Sequence, residues 1–151
     1  MSKDSHWKAP WDFNPEEFVG FTYLITCRPN GRKYIGKKLF TSTTRKKVSG
    51  QKNRKKTTKP SNWKTYSGSS KWLQSDIKKY GKSNFDFLIL SLHESRSTLA
   101  WAEATYIVRM NALQEVFPNG EKAFYNGILC PVKFTVLPES DKEKQFKTVI
   151  P

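Results

Sequence analysis

Between residues 19 and 40 the sequence leaves little choice of local structure. Val19-Gly20-Phe21-Thr22-Tyr23-Leu24-Ile25-Thr26-Cys27 and Arg32-Lys33-Tyr34-Ile35-Gly36-Lys37-Lys38-Leu39-Phe40 are rich in β-branched and aromatic residues, which fit a pleated, half-buried surface. Between them stands Arg28-Pro29-Asn30-Gly31, in which proline presets one φ and Asn-Gly tolerates positive φ. The pattern predicts a β-hairpin. A connection with an even number of residues sets odd positions of the first strand against even ones of the second. Tyr23 then lies across from Gly36 and shares a face with Tyr34, because alternate residues of a strand share a face. Glycine inside a strand marks a bulge or a close approach, and here it leaves open space over the Tyr23 phenol. In a regular strand Lys38 shares the face of Tyr23, and Lys37 points away from it.

The rest of the chain supplies helices and one further strand. A helix is expected from about Ser70 to Tyr80, capped by Ser70 or Ser69, with Leu73, Ile77 and Tyr80 on one face and Gly81 as its stop. Phe85 to Leu92 reads as a largely buried strand. A second helix is expected from about Ser97 to Leu113. Residues 1–17 read as an irregular arm whose aromatics dock on the domain, and residues 138–151 as a loose polar tail. Residues 131–137 are expected to add an edge strand to a domain spanning 18–137. Residues 41–62 show no sustained period and read as a long basic loop opening with a short helix. Together these elements predict an α+β fold, a small mainly antiparallel three-stranded sheet flanked by helices.

Charge narrows the partners. Lys and Arg number 27 against 13 Asp and Glu, a net charge of +14. Eight of those cations lie between Arg45 and Lys59 with no acid among them. Such an excess favours polyanions, because cations that neutralise phosphates release condensed counterions. No run approaches the ~18 apolar residues that span a bilayer, and the start lacks the apolar stretch of a secretory signal. Two cysteines point to a reducing compartment; over a hundred residues apart, they make no zinc-ligand pair. The two histidines, His6 and His93, form no metal-spaced cluster.

One acid stands out. Leu99, Tyr106, Met110 and Leu113 form an apolar stripe on the second helix, and Glu103 falls inside it. A carboxylate there is costly unless paired or bound to a metal. Either an internal salt bridge or a hard-metal site satisfies it, since one carboxylate with waters and a substrate phosphate suits Mg²⁺. Spacing does not choose between them.

The run Phe21-Thr22-Tyr23, ten residues, then Tyr34-Ile35-Gly36 resembles the paired motif of the GIY-YIG nucleases, with Phe21-Thr22 in place of the usual Gly-Ile. Trp72 to Phe85 is similar to the helix-to-strand passage of phage and intron-encoded members. Ala102-Glu103-Ala104-Thr105-Tyr106-Ile107 is similar to their metal-binding helix, and Tyr125-Asn126 to their late Tyr-Asn. The likeness runs over about residues 19–128 in matching order, and in particular to free-standing phage endonucleases. It implies Mg²⁺- or Mn²⁺-dependent hydrolysis of DNA phosphodiesters in the cytoplasm of an infected host, by a monomer or a homodimer. Tyr23 would then help deprotonate the attacking water, Tyr34 would support it, and Glu103 would hold the metal. Gly36, Lys37, Lys38, Lys71 and Asn126 would meet or frame the substrate. The family's arginine falls about ten residues past the second tyrosine, where this chain has Thr44. Arg45 is the first replacement and Arg54 the second. A reading from another class is a non-catalytic nucleic-acid-binding protein that uses the 45–59 segment for phosphates; it leaves Glu103 unexplained.

Overall fold

A computed structural model describes residues 5–46, 49–50, 52 and 55–129. In chain order the elements are β1 (Gly20–Cys27), β2 (Lys33–Leu39), β3 (Thr41–Lys46), β4 (Lys55–Pro60), α1 (Lys71–Tyr80), β5 (Phe85–His93) and α2 (Arg96–Arg109), with single 3-10 turns at Pro15–Glu17 and Lys82–Asn84. β2, β1 and β5 form an antiparallel sheet in that order, and β3 pairs with β4 in a separate two-stranded ribbon. The expected three-stranded α+β core is therefore present. The proposed edge strand at 131–137 and the tail beyond it lie outside the described residues, as does Arg54. Among the described residues no helix is long and apolar enough to cross a membrane.

The hairpin register is the one its turn dictates. The Gly31 N–H donates to Cys27 O at 2.7 Å and the Cys27 N–H to Arg32 O at 2.8 Å, closing a four-residue loop. Tyr23 pairs with Gly36 and Ile25 with Tyr34. In the β1–β5 pairing the register slips between Thr22 and Tyr23, leaving Leu90 as the extra residue of a bulge.

Two apolar layers cover the sheet. Leu24, Ile35 and Leu90 pack against Ala102, Tyr106 and Ile107 of α2. On the other face Phe21, Tyr23, Ile25, Phe87 and Ile89 pack with Leu73 of α1 and with Trp7 and Trp63. Trp7 is fully buried and its indole N–H donates to Trp63 O at 2.6 Å. Lys8 bridges to Leu88 of β5, so residues 7–8 are built into this layer, where truncating a buried Trp costs about 3–5 kcal/mol. Trp11, by contrast, remains exposed.

Two expectations change. The second helix stops at Arg109, short of Leu113, because Asn111 takes a left-handed φ of 52°. The Asn111 and Ala112 N–H groups donate back to Val108 O and Ile107 O, a Schellman stop. The 41–62 segment, read as a loop with a short helix, instead forms the β3–β4 ribbon. Thr43 pairs with Thr58 and Thr44 with Thr57, and such Thr cross-strand pairs stabilise ladders that have no apolar face.

The bulge turns Ser91 and His93 toward the α2 side, where Thr22 Oγ1, Ser91 Oγ and His93 Nε2 form a buried hydrogen-bonded chain, the last link being 2.6 Å. Burial pushes the His93 imidazole down from 6.5 to about 4. Partial burial, with Lys82 nearby, lowers His6 in the same direction. Neutral His93 therefore contributes its full stabilisation above pH 6.5, and this is lost as pH falls toward 4. Thermal unfolding scans across this window should show a loss on the order of 3 kcal/mol from His93, and a flatter profile for His93→Gln.

Candidate active site

The site is built around the β2 edge of the sheet. The Tyr23 ring is buried, 4.9 Å from the Trp7 ring, and its phenol lies over the backbone of Gly36. A Cβ at position 36 would stand 2.5 Å from Tyr23 Cζ and 2.9 Å from Cε2, and closer still to the hydroxyl. Glycine is thus the residue that lets the phenol cross the edge strand. Tyr34, two residues earlier on the same strand face, is half-buried with its ring 6.2 Å from that of Tyr23. Its hydroxyl lies 3.1 Å from Ser69 Oγ.

A third phenol, Tyr66, completes the group at 6.2 Å from Tyr23 in an edge-on arrangement. Sequence reasoning passed over it, because Trp63 to Gly68 reads as a lead-in to α1 with no motif of its own. The signal available was only composition: a tyrosine shortly before a Ser-Gly-Ser-Ser turn. Gly68, at φ 91°, makes that turn beneath Tyr34.

Glu103 arrives from the other side. α2 covers the face opposite Tyr23, and Glu103 meets Lys37, which the alternation of β2 places on that face. Glu103 Oε1 lies 3.6 Å from Lys37 Nζ, with side chains 15% and 38% exposed. Tyr23, Tyr34, Gly36, Lys37, Glu103 and Asn126 line one cavity of about 460 Å³ that wraps around the sheet edge. The acid and both phenols are therefore brought together although their elements pack on opposite faces.

Electrostatically the cavity is dominated by burial. Burial holds the Glu103 carboxyl above its ordinary value, and Lys37 draws it part of the way back. Burial raises Tyr23 well above 10, and the neighbouring Tyr34, Tyr66 and Glu103 push it further the same way. Tyr34 is also raised by burial, against the opposing hydrogen bond from Ser69. Lys37 is engaged with Glu103, and Lys38 Nζ stands 4.1 Å above the Tyr66 ring.

Other expected residues fall differently. Asn126 lines the cavity, but its amide is spent on the Ile35 backbone: Oδ1 accepts from Ile35 N–H at 2.9 Å and Nδ2 donates to Ile35 O at 2.8 Å. It frames the site by standing in for a strand beside β2. Tyr125 does similar work, donating to the buried Asp76 at 2.6 Å. Lys71 begins α1, exposed and outside the cavity lining. Arg45 sits in β3 at the register position facing Lys56.

Among the described residues no three His, Cys, Asp or Glu side chains cluster as a metal cage. A lone carboxylate, penalised by burial and open to a cavity, fits a hard ion that draws its remaining ligands from water and substrate phosphate.

The family model of the SegE GIY-YIG domain matches residues 4–129 of the chain. No curated protein and no solved structure matches it significantly.

Proposed function

We propose, from the premise that the chain belongs to the SegE GIY-YIG family of nucleases, that it is a divalent-metal-dependent DNA endonuclease whose chemistry occurs in the Tyr23–Tyr34–Glu103 cavity. The observation that carries this reading is the convergence of two phenols and one largely buried carboxylate across the β2 edge. Glu103 holds the cation, and a bound divalent ion acts as a Lewis acid on phosphate oxygens and favours the leaving oxyanion. Tyr23, its phenol kept protonated by burial, orients the attacking water through an oxygen lone pair, and the proton that water loses passes to a phosphate oxygen. Tyr34, tied to Ser69, holds the second edge of the water site. Lys37 is a positioning residue: it keeps Glu103 ionised and aimed at the cavity until cation and phosphate arrive.

Plasmid cleavage by the purified chain with Mg²⁺, and its loss in EDTA, tests the reading. Metal-dependent nicking or linearisation is expected, and DNA retention with no cutting across divalent ions overturns it. The role of Lys37 has its own signature. Lys37 lowers the Glu103 carboxyl, so Lys37→Met leaves burial unopposed and raises it. The acid limb of kcat/KM against pH, at fixed Mg²⁺, should therefore move to higher pH. An unmoved limb removes Lys37 from the site's electrostatics.

A further inference from the structure

The β3–β4 ribbon adds nothing visible to the core. Thr41, Thr44, Thr57, Thr58, Lys59 and Pro60 are exposed, and the pair forms its own sheet. At its outer end the register sets Arg45 opposite Lys56 and Lys46 opposite Lys55, and the segment's excess of cations suits a polyanion. The root, in contrast, is firm. Phe40 is buried 5.0 Å from the Trp63 ring, the Ser61 N–H donates to Phe40 O at 2.9 Å, and Ser61 Oγ donates to Leu39 O at 2.6 Å. A second cavity, of about 860 Å³, runs along this root and is lined by Lys38, Arg96, Thr41 and Thr43. It shares Lys37 and Tyr66 with the Tyr23 cavity, so the two cavities adjoin at those residues.

We propose that this ribbon enters the major groove of duplex DNA beside the cut and reads base edges there, while Lys38 and Arg96 hold the intervening backbone. The proposal rests on the nuclease reading for the position of the cut. Dimensions favour it: two strands about 4.8 Å apart with their side chains fit a major groove ~12 Å wide, but not a minor groove ~6 Å wide. Chemistry agrees. Threonine hydroxyls donate to or accept from base edges, threonine methyls pack on the thymine methyl, and the outer cations meet phosphates. The strands carry no aromatic residue of the kind on which single-stranded bases stack, which favours the duplex.

The test is binding of the full chain to duplex DNA in EDTA, with guanine N7 methylated or purines replaced by their 7-deaza analogues. Both changes alter the major groove alone. Interference is expected within one patch to one side of the cut mapped with Mg²⁺, at about 10-fold in affinity for each critical base. Thr41 faces Pro60 in the ladder, so replacing residues 42–59 by Asn-Gly closes a short hairpin. That variant should lose the interference. Should it fail to fold, Thr43→Ala/Thr58→Ala keeps the backbone and should weaken the interference. Equal binding of modified and unmodified duplexes, or interference that persists without the ribbon, overturns the proposal. Absence of Mg²⁺-dependent cutting by the full chain overturns the nuclease reading instead, while the EDTA binding assay still reports on the ribbon.

Discussion

Glu103→Gln should bind duplex DNA as the unaltered chain does and cleave it at least about 10³-fold more slowly, the loss expected when several kcal/mol of metal-derived stabilisation disappear. Glutamine keeps the shape and removes the charge. The carboxyl is held high by burial and only partly relieved by Lys37, so a neutral amide also sheds a desolvation cost. The melting temperature should accordingly not fall. A purely structural Glu103–Lys37 pair predicts the reverse: lower stability and unchanged cleavage. Gel shifts, cleavage time courses and thermal scans on one preparation separate the two.

Gly36→Ala is expected to be nearly as severe for a different reason. The added methyl meets Tyr23 Cζ at 2.5 Å and the hydroxyl more closely still, and the ring cannot retreat because Trp7, Phe21 and Tyr66 pack around it. Forced rearrangement of this kind costs about 1–3 kcal/mol of stability. Displacing the phenol by an ångström should lower cleavage by about 10²-fold. Tyr23→Phe should lower cleavage comparably while keeping the fold. Combining the two should not multiply the losses, since both act on one oxygen.

These effects trace back to features of unequal legibility. The Tyr23–Gly36 opposition could be read directly, because a four-residue turn and a two-residue period fix every facing pair of a hairpin. α1 was equally plain: the Ser70 side chain accepts from Leu73 N–H at 3.3 Å, and Gly81 ends the helix at φ 87°. The oddity of Glu103 on an apolar stripe was visible too, but its neighbour was not. Lys37 reaches it only because α2 crosses the far face of β2, a matter of tertiary packing. The ribbon escaped because hydrophobic alternation marks a strand only when one face is buried. Thr41–Lys46 and Lys55–Pro60 are polar on both faces, so nothing in them has a period. The end of α2 was missed for a local reason: Met110 and Leu113 continue the apolar stripe and do pack on that core, but Met110 already caps the helix and Leu113 lies beyond the Asn111 stop. Tyr66 belongs to no element, and only the path of the chain over Gly68 brings it to Tyr23.

The central claim, that Glu103 forms the metal centre of a nuclease, is tested most directly by counting Mn²⁺ bound to the protein–DNA complex with electron paramagnetic resonance. The account predicts a protein-dependent bound ion with the unaltered chain and its loss with Glu103→Gln at equal DNA occupancy. Mn²⁺ bound equally by both proteins would contradict it.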